Sequence, residues 1–382
     1  MTEVSTLKSE PIDAGLQKAL LWSGPGLLLA IVLLGAVNRW IWPLSVGLVI
    51  DSGLLGLLFP IALVAFLAVL AERLAGDVRL PTWRRSLGAT GAGLLGGVLL
   101  VGAWGKILDP RAFAVTITNE GLDVVLPASV VALLALGLEV ALGVGLVFGL
   151  RSRWLLATSG LLVAFFLALT GRAYLRFLDG VVVEDPSCGC FGNLIERTPA
   201  QAFWQDVSLL VPTLALAFLA VRRAPMPPKR MLVVAVVGAL SLGFAASAPS
   251  LPLDDLATRL RPGVKIGDLC TGSDEARVCL SSLSPGLLEG EHWVVIADLE
   301  DEAFSGQVAA LNDWTQSPTA LHLEVVSAAA SEQITTFFWT HGPSFEITEV
   351  PTLLLRPLYR TLPRSFRVVD GEVVETVTGL PL

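Results

Sequence analysis

The sequence predicts an α-helical, multi-pass membrane bundle of about seven spans followed by a C-terminal α/β domain, and three observations predict it. Of 382 residues, 53% are hydrophobic and only 16% are charged, whereas soluble proteins carry roughly 25% charged residues. That deficit is confined to the part before residue 250, where long runs of Leu, Val, Ala and Gly dominate. Beyond it, charged residues return and strand-like segments alternate with helix-like ones.

A helix needs about 20 mostly apolar residues to cross a bilayer. Seven runs qualify: 17–38, 53–72, 87–106, 125–150, 154–177, 206–222 and 231–248. Gly24, Pro25, Pro60, Gly96 and Gly97 fall inside them, which is tolerated because neighbouring helices re-satisfy freed backbone groups. The stretch Asn38 to Asp51 extends a helix or lies in the interface. The first run has no small-residue cleavage site close behind it, so it is expected to be a retained helix rather than a signal peptide.

Positive charge in short loops sets the orientation. Arg73, Arg79, Arg84 and Arg85 form one basic loop, Arg151 and Arg153 a second, and Arg222, Arg223, Lys229 and Arg230 a third. With seven spans these loops share the cytoplasmic side. Loops 107–124 and 178–205 and everything after 248 then face outward, as expected of a protein of a bacterial-type inner membrane with an extracytoplasmic C-terminal domain. The net charge of −8 says little about partners; no basic patch with interleaved aromatics appears, so nucleic acid is not expected as a partner. Membrane lipid is the expected surroundings.

All four cysteines (Cys188, Cys190, Cys270 and Cys279) lie outside the apolar runs and, by this topology, on the oxidising side. The most informative stretch is Asp185-Pro-Ser-Cys-Gly-Cys-Phe-Gly-Asn193, after the fifth run. Two thiols one residue apart close a disulfide only in a bent backbone, and glycine relaxes that constraint. A strained, exposed disulfide is more oxidising than a structural one and suits exchange with a partner. Three readings stay open at this point: redox exchange, a structural disulfide including pairing with Cys270 and Cys279, and half of a metal site. The loop contains no histidine, and no metal ligand set is assigned.

Residues 87–222 resemble the MauE/DoxX-like membrane family. The matching features are Trp104-Gly-Lys106, Leu108-Asp-Pro-Arg-Ala-Phe113, Leu126-Pro127, Leu138-Glu139-Val-Ala-Leu-Gly143, Gly171-Arg172 and Cys188-Gly-Cys-Phe-Gly192. The resemblance implies a four-helix membrane core and a role in maturing exported, disulfide-bearing proteins beside a thioredoxin-like redox partner. The chain departs from the family at Trp204-Gln205-Asp206, where an Arg-Asp pair is expected and only the Asp is matched.

Within the runs, Glu139 sits mid-span. A carboxylate there is expensive in lipid and must face the bundle interior and find a partner. Lys106 and Arg172 fall near outer span ends, where they either snorkel to the interface or pair with Asp109, Asp206 or a quinone-like ligand. The sequence fixes no cofactor; a membrane quinone is the candidate. Gly137, Gly143, Gly145 and Gly149 read as close-packing positions.

Residues 245–253 read as a short semi-rigid linker. The expected divisions are N-terminal helices at 1–86, the MauE/DoxX-like region at 87–222, a last helix and linker at 223–259, and the soluble domain at 260–382. In that domain, strands are predicted at Trp293–Ala297, Leu321–Val326 and Thr352–Leu355, with helices at 303–315 and 329–339. Phe366–Val374 is predicted as a hairpin turning at Asp370-Gly371.

This order, with Val350-Pro351-Thr352, resembles the thioredoxin-like fold, and the resemblance implies a cis proline at Pro351. The family's CxxC belongs just after the first strand, where the sequence reads Glu300-Asp-Glu-Ala-Phe-Ser305 without a thiol. Cys270 and Cys279 are read as a structural disulfide across a turn near Gly272, the alternative being a displaced redox pair served by Cys188 and Cys190.

Two functions compete. In the first, Cys188 and Cys190 pass disulfides or electrons between a membrane carrier and an exported client or thioredoxin-like partner, making the protein a thiol-disulfide oxidoreductase. In the second, the protein is a non-catalytic assembly or export factor whose degenerate domain binds a client. A transporter finds no inverted repeat to support it.

Overall fold

The structure is a computed structural model and describes residues 14–40, 52–74, 83–179, 198–221, 228–272, 277–317 and 321–381. The chain divides into two compact units. The first is helical. The second gathers Leu108–Val124 with everything from Ala245 onward.

Each of the seven apolar runs is helical: α1 (Ala14–Trp40), α2 (Ser52–Leu74), α3 (Trp83–Leu108), α5 (Ala128–Val147), α6 (Arg153–Leu178), α7 (Pro199–Phe218) and α8 (Pro228–Ser247). Among the described residues four of them, α3, α5, α6 and α8, are long and apolar enough to cross a membrane. Helix α7 starts seven residues before its apolar run. The Thr198 hydroxyl accepts from Gln201 N while the Gln201 side chain accepts from Thr198 N, and Pro199 occupies the first turn. This capping box nucleates the helix ahead of its greasy part. The Ser152 hydroxyl caps α6 by accepting from Leu155 N at 3.2 Å.

Helices α3 and α5 cross with almost no space between their backbones. A Cβ at Gly96 would lie 2.8 Å from the Gly143 carbonyl oxygen, and one at Gly143 would lie 2.8 Å from Leu100 Cγ. Small residues at such crossings let packing substitute for the missing hydrophobic driving force in lipid.

A further helix, α4 (Pro110–Asn119), occupies the predicted outer loop 107–124 and belongs to the second unit. Asp109 caps it through Ala112 N at 3.1 Å, and Pro110 stands at its first position. The Asp-Pro pair was a legible start signal.

The second unit is built on a mixed five-stranded sheet in the order β5-β4-β3-β6-β7: β3 (Glu291–Ile296), β4 (His322–Ser327), β5 (Glu346–Glu349), β6 (Arg364–Val369) and β7 (Glu372–Thr378). Strands β3, β4 and β5 run parallel, while β6 is antiparallel to β3 and to β7. Alternation along β3 feeds two cores. Val294 and Ile296 join Leu260, Leu354, Phe366 and Val373 on one face. Val295 and Ala297 join Phe304, Leu311, Leu323 and Phe337 on the other. Burial on both faces explains the continuous apolar run in β3. The β6–β7 hairpin turns at Asp370 (φ 47°) and Gly371 (φ 78°), the paired positive φ values of a type I′ turn.

Two expectations are corrected. Thr352–Leu355 is a short helix, not a strand. Three consecutive leucines do not distinguish the two, and here Leu354 and Leu355 turn into the core. The third strand is instead the polar edge strand Glu346–Glu349. Pro351 follows a trans peptide bond; the cis bond among the described residues is Leu362–Pro363. Val350 N donates to Ser327 O at 2.8 Å, and Pro351, extended at ψ 136°, then starts the helix through its carbonyl. Residues 245–255, which include the stretch read as a linker, make polar contacts with the C-terminal hairpin region. Arg360 donates to the carbonyls of Ala248 (2.7 Å) and Leu251 (3.2 Å), and the buried Arg364 reaches Asp254 at 3.2 Å and Asp255 at 2.9 Å.

Candidate functional site

Cys188 and Cys190 lie outside the described residues, as do Arg79, Arg222 and Arg223 of the basic loops. The helices on either side of the cysteine stretch, α6 and α7, pack against each other. Tyr174 of α6 stacks on Phe203 of α7 with ring centroids 5.6 Å apart and planes within 13°. A Cβ at Gly171 would meet that phenylalanine ring at 3.3 Å.

The other two cysteines are joined. Cys270 and Cys279 form a disulfide between the short antiparallel strands β1 (Cys270–Thr271) and β2 (Val278–Cys279). Gly272, at φ 88°, makes the turn out of β1, a conformation that favours glycine.

Inside the bundle, Lys106 at the end of α3 donates to Glu139 Oε1 in α5 at 2.6 Å. Both side chains are 2% exposed. The ammonium also lies 5.2 Å from the Phe166 ring centroid in α6, within cation–π range. Three helices thus converge on one buried ion pair. Lys106 does not snorkel: its head group is enclosed by the bundle. Such a pair can hold a proton or pass it between nitrogen and oxygen, and burial protects that exchange from water.

Asp206, in α7, is buried at 3% exposure, while Arg172, in α6, is exposed. Asp109 is buried in the second unit. Burial raises its carboxyl above the ordinary range; the Ala112 amide and the charges of Arg356 and Arg360 work against that rise.

In the second unit the position after β3, where the resemblance called for a dithiol, holds an acidic turn. Asp298 accepts from Glu300 N at 3.0 Å, Asp301 caps the following turn through Ala303 N at 2.9 Å, and Gln333 donates to Glu300 at 2.7 Å. This corner can bind through hydrogen bonds and charge, but it contains no thiol.

Sequence reasoning placed Glu139 in need of a partner but did not name Lys106, because the two are 33 residues apart and only helix packing brings them together. It missed Phe166 altogether.

Residues 84–221 match the model of a protein family described as methylamine utilisation protein MauE. No curated protein matches the chain.

Proposed function

We propose that this chain, a membrane protein with a MauE-family region at residues 84–221, works in methylamine utilisation or a kindred process by thiol-disulfide exchange at Cys188 and Cys190, helping an exported protein acquire its disulfides. The observation that carries the reading is the bond between Cys270 and Cys279. The sequence has four cysteines. With that pair engaged, Cys188 and Cys190 have only each other or an outside thiol as partners.

The chemistry balances as follows. A client dithiolate attacks the Cys188–Cys190 disulfide, a mixed disulfide forms, and the second client thiolate resolves it. The client is oxidised by two electrons and the vicinal pair is left as a dithiol. Reoxidation releases two electrons and two protons, which a membrane quinone accepts to become a quinol. Lys106 and Glu139, with Phe166 beside them, are the groups in the bundle fitted to supply a proton to such a carrier. A quinone oxygen suits the ammonium donor, and the phenyl ring suits its flat apolar body.

The C-terminal unit is the client-docking part in this reading, on the outer side of a bacterial-type inner membrane. Its strand–helix–strand–helix order closing on an antiparallel hairpin supports a thioredoxin-like ancestry. Its acidic corner after β3 supports a binding role without catalysis. That same corner favours the second reading, a non-catalytic assembly factor.

The two readings separate on one experiment. Free thiols are trapped in intact cells with a membrane-impermeant reagent, and a Cys188→Ser, Cys190→Ser variant is compared for mixed disulfides and client oxidation. Exchange requires a partly reduced, labelled pair and loss of client oxidation in the variant. An unlabelled pair with unchanged client oxidation leaves only the assembly role.

A further inference from the structure

We propose that His292 and His322 form a two-histidine site for a borderline transition-metal ion of the zinc, copper or nickel class. The site lies in the C-terminal unit at the N-terminal end of the sheet, opposite the acidic corner, and the redox reading neither uses nor requires it.

The two residues are direct partners in the parallel register of β3 and β4, so their side chains leave the same face of neighbouring strands. Their Nδ1 atoms are 3.3 Å apart. This separation admits a long hydrogen bond between one imidazole N–H and the other's lone pair. It also matches a metal's bite: two nitrogens each about 2.0–2.1 Å from zinc at a tetrahedral angle lie about 3.3–3.4 Å apart.

The outer partner of His292 is also in place. Its Nε2 lies 2.7 Å from the Glu289 carbonyl oxygen. That acceptor puts the proton on Nε2 and leaves the Nδ1 lone pair for a ligand, the arrangement by which backbone carbonyls orient metal-bound histidines. The fold holds the carbonyl in position. Gly290 N donates to Asp370 Oδ1 at 2.9 Å, and Asp370 N donates to Gly290 O at 2.8 Å, which ties the Glu289–Gly290 turn to the β6–β7 turn. Glu291, next along β3, is engaged by Arg367 at 2.5 Å.

Among the described residues no cluster of three or more His, Cys, Asp or Glu surrounds this point. Water or a side chain of a docked protein can fill the remaining coordination positions. Two protein ligands with open positions describe an exchangeable site, not a structural one.

The test is zinc binding by the purified full-length chain in detergent, read by competition with a colorimetric chelator. The measurement is repeated in a Cys188→Ser, Cys190→Ser background so that thiols cannot account for the signal. One ion per chain is expected in both backgrounds. Loss of either ligand, in His292→Gln or His322→Gln, should weaken binding by more than the roughly 10–100-fold typical of losing an outer-shell partner. His341→Gln, whose ring packs on Phe337, should leave binding intact. The exposed His322 carries the test if the His292 variant fails to fold. Absent binding by the wild-type chain, binding unchanged in His322→Gln, or stoichiometry that disappears with Cys188 and Cys190 would each overturn the proposal.

Discussion

Lys106 Nζ lies 2.6 Å from Glu139 Oε1, with both side chains almost wholly removed from solvent. In water such a contact contributes little. Buried, it is held by necessity, because either charge alone would be stranded in an apolar bundle.

Breaking one side of that pair should therefore be worse than removing both. Lys106→Met is expected to destabilise the bundle by about 3–5 kcal/mol, whereas Lys106→Met with Glu139→Leu should recover most of the loss. Thermal unfolding in detergent measures both. A double variant as unstable as the summed singles would show that the two side chains act independently, and the pairing argument would fail. A stable double variant that no longer supports client oxidation would place the pair in the chemistry and not in the scaffold.

The Cys270–Cys279 disulfide closes a short loop, with a sequence separation of 9. In the chain-entropy model such a crosslink stabilises by about 2–3 kcal/mol. Cys270→Ser with Cys279→Ser should lower the unfolding midpoint of the C-terminal unit accordingly while client oxidation continues. Loss of oxidation with an intact fold would make this bond the exchanging one, and the role assigned to Cys188 and Cys190 would fall.

Asp109 offers a pH-dependent test. Burial raises its carboxyl in the folded chain, so folding favours the protonated form. That contribution is fully present below the ordinary aspartate value of about 3.9 and is lost as pH rises through the folded value. Asp109→Asn retains a capping oxygen for Ala112 N and removes the buried charge. The variant should melt higher than wild type at pH 7, with the gap closing near pH 4. Asp109→Ala should lie about 1 kcal/mol below Asp109→Asn at either pH through the missing cap. Equal melting of the Asn variant and wild type at pH 7 would show that the charge is compensated by Arg356 and Arg360.

Some features were legible because they are local. The seven helices follow from apolar run length, and the β6–β7 turn follows from Asp370-Gly371, since two adjacent residues at positive φ leave few alternatives. Others failed where local signals are degenerate. Thr352–Leu355 is apolar enough for either state, and its helix is decided by Pro351 and by the core beneath Leu354 and Leu355. Glu346–Glu349 has too polar a pattern to announce a strand, yet an edge strand needs only one packed face and a neighbour's hydrogen-bonding groups.

The sequence by itself determined a lipid-embedded part and a water-exposed part, because transfer free energy depends on composition along a short window and not on what that window touches. It also determined that Glu139 required a partner. Only the tertiary structure decided that the partner is Lys106, that Cys270 takes Cys279, and that two histidines 30 residues apart meet across neighbouring strands. Each of these is a meeting of side chains from distant elements, and their proximity is set by helix crossing and strand register, which no local pattern encodes.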